Sequence, residues 1–467
     1  MAIARLFLFT AITAAATPEE HNYGLVDPLI GAYNGGNVFA GATLPFGMAK
    51  SVAHVSGQNT AGFSYDGSNV TGFSALHDSG TGGQPSMGNF PLSIQYCDDD
   101  KILCKGYSQG GSNADVVIGD AYVKNLGGID WDLAYKAIFN DAENEPFDWA
   151  VNGRGGLVSW KQYGYIPFQD YDYLGFGPSF HSISRTLEYA YDDFAIAQVA
   201  RGLGRETDYE KYLERSANWQ NLFKADQTSF WPNGTDSGFV GFLQPRFANG
   251  TWRFQDPMEC SPLDSKFCSY SSNPRETFES AIWEYVSFVP QDQAGLIRAV
   301  GGPDNFVRRL DYLHETGLLD IGNEPSELTC FQYHYAGRPG LSAKRLHTYI
   351  PSSFNSSVNG LPGNDDSGAQ GSFLAFAMSG LFPVAGQNVY LITPPYFESV
   401  SWTSPVTGKV ATIRNSAKLD GEVYNKSWIG HEFSLQGGVL ELTLGSEESD
   451  WGTKEEDLPP SASSGGR

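Results

Sequence analysis

Gly360-Leu361-Pro362-Gly363-Asn364-Asp365-Asp366-Ser367-Gly368 sets two adjacent carboxylates in a loop broken by glycine and proline. The stretch that follows, Ala369 to Leu381, is apolar at helical spacing, so the pair stands at or near a helix N-terminus. An Asp in that position also serves as a plain cap. Two further carboxylates argue for more than capping: Glu279 in Thr277-Phe278-Glu279-Ser280-Ala281-Ile282-Trp283-Glu284-Tyr285, and Glu324 in Gly322-Asn323-Glu324-Pro325-Ser326. Three carboxylates set among aromatic side chains point to sugar chemistry.

The chain has 467 residues, more than one ordinary core accommodates, and two or three domains follow from length alone. Its net charge of −23 and its lack of any basic tract exclude nucleic acid and anionic membrane surfaces as partners, because both need clustered Lys and Arg. Residues 1–16 read as a secretory signal: Arg5 precedes Leu6-Phe7-Leu8-Phe9, and Ala14-Ala15-Ala16 precede Thr17. That apolar run is too short to cross a bilayer, so the expected product is exported and not membrane-bound. Five Asn-x-Ser/Thr sequons, at Asn69, Asn233, Asn249, Asn355 and Asn425, agree with passage through a glycosylating pathway. Of five cysteines, Cys260 and Cys268 are read as bridging each other. Cys97 and Cys104 flank a turn and form a second candidate pair, which leaves Cys330 single. No cysteine or histidine spacing suits zinc.

From Tyr23 to Tyr96 the sequence is rich in Gly, Ser and Asn with short alternating runs, and reads as part of a β domain. There the glycine loop Gly72 to Gly83 offers His77 and Asp78 to a ligand. After Asp100 helical periodicity takes over: Ser112–Leu126, Asp130–Ala142, His181–Leu203 with Gly204 as its stop, Asp208–Phe223, Gln293–Val300 and Asn305–Leu313. Helix pairs joined by long aromatic loops suggest a helical toroid whose site is built from loops at one end. Past Pro383, Val389–Thr393, Val410–Ile413 and Val439–Leu444 read as strands of a small β module. The predicted organisation is α+β multidomain: a signal at 1–16, a partial β-sandwich at 17–98, a helical catalytic domain at 99–387, a β module at 388–453 and a disordered Pro/Ser/Gly tail at 454–467.

Several segments together resemble glycoside hydrolase family 92, the exo-acting α-mannosidases. They are Gly41-Ala42-Thr43-Leu44-Pro45-Phe46-Gly47, Ser79-Gly80-Thr81-Gly82, Arg185-Thr186-Leu187-Glu188-Tyr189-Ala190-Tyr191-Asp192-Asp193, Phe278-Glu279 with Trp283-Glu284-Tyr285, Phe288-Val289-Pro290, Gly322 to Ser326, Tyr335-Ala336-Gly337 and Gly360 to Gly368. They occur in the family's order between residues 23 and 452. The resemblance implies an N-terminal β-sandwich packed on an (α/α)6 toroid, Ca2+ between sugar and protein, and inversion at the anomeric carbon of terminal, α-1,2-linked mannose in glycans. It matches Glu279 to the acid and the Asp365/Asp366 pair to the base region, with the choice between the two Asp open. Glu279 lies beside Phe278, Ile282 and Trp283, apolar neighbours of the kind that keep a carboxyl protonated. Asn323, Glu324 and Asp365 make the expected oxygen shell for calcium. His77, Asp78, Trp283 and Glu324 make the expected contacts to sugar.

The resemblance also shows a gap. Between Tyr96 and about Gly106 the chain passes from early sandwich directly into the helical domain, and most of the sandwich, the first toroid helices and a further sugar-holding acid of the family have no counterpart. An incomplete toroid follows, with an impaired mannose-binding remnant as the alternative to an active mannosidase and little or no turnover expected of these 467 residues.

Overall fold

The computed structural model describes residues 26–27, 29–33, 38, 52–55, 63–74, 107–108, 111–112, 114–149, 153–265, 275–365, 368–404, 406–414, 418–419, 421–445 and 447–464. The signal-like stretch, His77, Asp78, Cys97, Cys104, Cys268 and Asp366 lie outside them. Of the predicted sandwich, the described part is one antiparallel pair, β1 (Val52–Val55) and β2 (Val70–Ser74), together with the turn at Leu29 to Tyr33. That turn docks on the carboxylate loop. Tyr33 N donates to Val358 O at 2.9 Å, and a side chain at Gly31 would stand 3.0 Å from Leu361 Cδ1.

Two short strands, β3 (Tyr107–Ser108) and β4 (Gly111–Ser112), lead into the helical region. It contains α1 (Ala114–Val123), α2 (Trp131–Glu143), α3 (Leu157–Tyr163), α4 (Ser182–Gly202) and α5 (Glu206–Arg215). α2 and α4 lie within a residue of the periodic stretches, α1 ends three residues short of its stretch and α3 is not among them, and Asp130 caps α2 by accepting from Leu133 N at 3.1 Å. Asp208–Phe223 also differs: α5 ends at Arg215 and a 3₁₀ turn, Asn218–Leu222, completes the span. The apolar spacing of His181–Leu203 suits a helix that buries one broad face. Helix α4 is instead buried along nearly all its length, charged residues included.

Two of those charges, Asp192 and Asp193, share one organiser. Arg154, 0 % exposed, meets Asp115 Oδ2 at 2.6 Å, Asp193 Oδ1 at 2.8 Å, Asp141 Oδ2 at 3.5 Å and Asp192 Oδ2 at 3.6 Å. It thus joins α1, α2 and α4 through one guanidinium. Arg215 of α5 adds a 2.6 Å bond to Asp193, so the Asp192-Asp193 motif is structural.

A hairpin follows that periodicity did not reveal: β5 (Phe223–Phe230) pairs with β6 (Asp236–Leu243) across Trp231-Pro232-Asn233-Gly234-Thr235. Its signal is present in the sequence as a Pro-Asn-Gly turn between aromatic and β-branched runs. Then come α6 (Ile282–Tyr285), α7 (Gln293–Ala299), α8 (Pro303–Glu315), two 3₁₀ turns over Glu324–Cys330 and Gln332–Ala336, α9 (Pro339–Ser353) and α10 (Ala369–Ser379). Ile183, Leu187, Trp219, Phe242, Trp283, Tyr285, Phe331 and Phe373 draw these elements into one buried cluster. Among the described residues α1, α2, α4, α5, α8, α9 and α10 are the helices of ten residues or more, short of the six hairpins of a closed toroid.

The β module begins slightly earlier than expected. β7 (Leu381–Val384), β8 (Val389–Ile392) and the later β12 (Trp428–Ile429) form one sheet. β9 (Ser399–Thr403), β10 (Val410–Arg414), β11 (Lys418–Leu419) and β13 (Gly438–Glu441) form the other, in the order β11-β13-β10-β9. A short α11 (Glu432–Gln436) packs on β10. The predicted disordered tail is ordered through Ser464. Ser461 Oγ donates to Asp292 Oδ1 at 3.1 Å, Ala462 N donates to Gln291 O at 2.9 Å, and Trp428 Nε1 donates to Leu458 O at 3.0 Å. The serines that made the segment look solvated are the groups that tie it to the α7 N-cap. No described helix is long and apolar enough to cross a membrane. All five sequon asparagines are exposed.

Candidate active site

The sequence separates Glu279, Glu324 and Asp365 by some forty residues each, and three backbone features bring their loops together. The first clamps the Glu279 loop to the start of α4. Glu276 accepts Ser182 N at its Oε2 (2.9 Å), while its carbonyl accepts Ile183 N (2.8 Å), so a carboxylate and a peptide oxygen satisfy the open N–H groups of that helix end. His181, held at φ +67°, supports the same junction with its ring 5.1 Å from Phe278. The second feature is a buried polar chain. Asn323 Nδ2 donates to Ser280 Oγ at 2.9 Å, and Ser280 Oγ donates to Glu284 Oε1 at 3.0 Å, which ties the Glu324 turn to the residue after Glu279. Burial pushes Glu284 up to about 8, so it is a protonated, neutral member of that chain at mildly acidic pH.

The third feature is a contact that only glycine permits. A Cβ on Gly363 would stand 2.0 Å from Gly322 O, and a Cβ on Gly322 would stand 2.7 Å from Pro362 O. Two glycines thus let the Glu324 and Asp365 loops lie backbone on backbone. Asp365 then begins α10 in the manner of a cap: its Oδ1 accepts Gly371 N at 3.1 Å and its carbonyl accepts Gly368 N at 3.1 Å. Capping and a role in the site are therefore compatible for this residue.

Sequence reading missed Glu327. It lies one turn after Glu324, and its carboxyl is pushed up to about 9, first by burial and then by the charges of Glu324 and Asp365. The Glu-x-x-Glu spacing on a helical turn was the available signal. Glu324, Glu327 and Asp365 thus make an acidic corner, and the Asn323–Ser280 bond brings the residue after Glu279, whose Oε1 is buried, to the Glu324 turn. A hard cation is the natural companion of such a corner. Among the described residues, however, no three of His, Cys, Asp or Glu are grouped to hold a metal on their own. Asn323, expected in the calcium shell, uses its amide NH2 to hold Ser280.

One expected sugar contact is withdrawn. Trp283 is 1 % exposed, donates from Nε1 to Ser229 Oγ at 2.8 Å, and is stacked on Tyr312 at 5.2 Å with Phe239 and Phe242 against its other sides. Its ring belongs to the core and has no face for a pyranose. Among the cysteines, Cys260 is disulfide-bonded and Cys330 is free and buried. A cavity of about 1050 Å³ lies under the C-terminal strap beside Arg201, Arg298 and Trp428, and none of the site carboxylates lines it.

The glycosyl hydrolase family 92 catalytic domain matches residues 98–446 and the family's N-terminal domain matches residues 25–117. A curated protein from Arthroderma benhamiae, described as an uncharacterized secreted glycosidase, is 61% identical over 377 residues, covering 78% of this chain and 48% of its own. A family GH92 α-mannosidase from Bacteroides thetaiotaomicron, solved with mannoimidazole, superposes with a TM-score of 0.63 at 26% identity over 75% of this chain and 46% of its own. A family GH92 inverting mannosidase of the same organism shares the fold, with a TM-score of 0.64 at 24% identity over 77% and 49% of the two chains. The chain spans about half the length of the relatives it matches. With a family match over most of its length and a curated relative 61% identical over 78% of it, the chain belongs to glycoside hydrolase family 92.

Proposed function

We propose that the chain acts on terminal α-linked mannose of exported or extracellular glycans, by inverting hydrolysis. The observation that carries this reading is the convergence of three loops, with Glu279 on one and Asp365 on another, joined by the Asn323–Ser280 bond and the Gly322–Gly363 contact. In inversion one protonated carboxyl delivers a proton to the departing oxygen, and a carboxylate ~6.5–9.5 Å away draws a proton from water on the opposite face. Glu279, partly enclosed beside an apolar core, takes the first role. Asp365 or Asp366, at the start of α10, takes the second, where the helix dipole favours the ionised form. His77 and Asp78 remain proposed sugar contacts from the N-terminal part. Oxygens of Glu324, Asn323 and Asp365, with Glu327 adjoining, would hold calcium, which when bound supplies a Lewis acid for paired sugar hydroxyls. A preference for α-1,2 linkages is part of the same reading.

A second reading is favoured by one observation: about half the length of the matched relatives has no counterpart here. On that reading the chain binds mannose but turns it over slowly or not at all. Mannose release from an aryl α-mannoside, assayed with calcium and with a chelator, tests both. Calcium-dependent release supports the first, and saturable sugar binding without release supports the second.

A further inference from the structure

Residues 455–464 run from the β module back to the helical region as an extended strap. The strap lies beyond residues 98–446, which match the family's catalytic domain. Leu458 stands at φ −68°, ψ 152°, and each proline of Pro459-Pro460 holds φ at about −65°, so the middle of the strap is set for a polyproline II course.

Each part of the strap meets a matching group. Trp428 Nε1 of β12 donates to Leu458 O, the carbonyl just before the proline pair, at 3.0 Å. Asp292 Oδ1, at the α7 N-cap, accepts Ser461 Oγ at 3.1 Å, Ser463 N at 3.3 Å and Ser463 Oγ. Ala294 N donates to Ser461 Oγ at 3.0 Å, Arg298 Nη2 donates to Ser463 Oγ at 2.5 Å, and Ala462 N donates to Gln291 O at 2.9 Å. Ala462 also packs on the apolar cluster of Tyr191, Phe194 and Ala195 on α4. An indole that holds the carbonyl before a proline pair, in a wall with other aromatic rings, is the chemistry of grooves that recognise proline-rich chains.

Two features mark the strap as seated on the fold and not built into it. It is held mainly through hydroxyl and backbone groups, which water serves nearly as well once a segment leaves. Beneath it remains the cavity of about 1050 Å³, lined by Gln198, Arg201, Tyr335 and Tyr424 among others, so the strap spans a void and does not fill it. A core element closes such space, because a void forfeits contacts along its whole lining. The groove is also remote from the site carboxylates: from Ser182, held by Glu276, to Gln198 the axis of α4 rises about 24 Å.

We propose that this groove recognises an extended Leu-Pro-Pro-Ser-x-Ser chain and that the strap is its resident ligand, a releasable clasp joining the β module to α7 with Asp292 as the catch. The partner it fits is a proline-rich peptide with serine hydroxyls two residues apart, offered in cis by this chain. The clasp holds whether or not the chain releases mannose.

The test uses the full chain with Ser461→Ala and Ser463→Ala together, which weakens the strap and leaves the groove whole. A fluorescein-labelled peptide of residues 455–464 is titrated by anisotropy into this variant and into the parent. A tethered ligand competes at about millimolar effective concentration, so the parent should take up the peptide about tenfold more weakly than the variant, or weaker still. The peptide should also raise the melting temperature of the variant, and trypsin should cut after Lys454 faster in the variant than in the parent. A peptide with alanine at both serines should bind neither protein. Because the serine dependence is read in the peptide, Pro459→Gly with Pro460→Gly supplies a second weakened strap should the first variant fold poorly. No uptake by either variant, or uptake that ignores the two serines, overturns the recognition site. Cleavage after Lys454 at the parental rate in both variants overturns the clasp.

Discussion

Replacing Gly363 by alanine tests whether the carboxylate loops are held in register by backbone contact. An added Cβ would stand 2.0 Å from Gly322 O, 2.7 Å from the Gly322 carbonyl carbon and 2.9 Å from its Cα. All three are backbone atoms, so no side chain can rotate away. Carbon and carbonyl oxygen approach to about 3.3 Å at closest, so the Glu324 and Asp365 loops must part by about 1.3 Å. Overpacking of this kind costs about 1–3 kcal/mol. The consequence for chemistry is larger, because a misplacement near 1 Å at a reacting centre lowers rate by about a hundredfold. Gly127→Ala is the control, since nothing lies within 4 Å of its added Cβ. Thermal melts and mannoside turnover of the two variants, compared with the parent, give the answer. A Gly363→Ala protein that melts and turns over like the Gly127 control would refute the argument that this contact sets the site.

Other outcomes follow from the same structure. Glu279→Gln should abolish turnover of substrates with poor leaving groups and spare activated aryl mannosides, which need little protonation, and equal loss on both would remove Glu279 as the acid. Asp365→Asn and Asp366→Asn should each slow the reaction strongly, at least one of them weakening calcium binding by calorimetry; parental rates in both would leave the pair as caps. Arg154→Met strands Asp115, Asp141, Asp192 and Asp193 without their shared cation, and should cost about 3–5 kcal/mol in chemical denaturation, an undiminished midpoint being the contrary result. Burial raises Glu188 to about 8, among Asp192, Tyr191 and Tyr285. The unfolded chain releases that proton near the usual carboxylate value and the folded chain holds it, so stability is full below about 4.5 and declines as pH rises to about 8. Glu188→Gln should flatten this part of a stability–pH profile; an unaltered slope would contradict the assignment.

The features legible in the sequence were those carried by local pattern. Helix α4 was readable from its apolar spacing and its Gly204 stop, and α2 from its Asp130 cap. The Asp365 loop was readable because glycine and proline break helix and a new apolar helix follows. The features that were not legible depend on partners far apart in the chain. Arg154 and Asp193 are 39 residues apart, and nothing local announces that one guanidinium serves four carboxylates. Trp283 looked like a sugar platform because an aromatic ring beside an acid suits either role, and only its enclosure by Phe239, Phe242 and Tyr312 decides for the core. The Ser-rich tail was read by composition, which does not register that its hydroxyls meet Asp292. Gly322 and Gly363 were visible as loop glycines, whereas their contact is a property of the folded chain.

Time-resolved proton NMR of an aryl α-mannoside incubated with the chain and calcium tests the central claim most directly. The account predicts slow release with β-mannose formed first, the α-anomer appearing only by later mutarotation, and strong slowing of that release in both Asp365→Asn and Asp366→Asn. First formation of α-mannose, or no mannose at saturating calcium above the rate without protein, would contradict inverting hydrolysis at the Glu279 and Asp365 site.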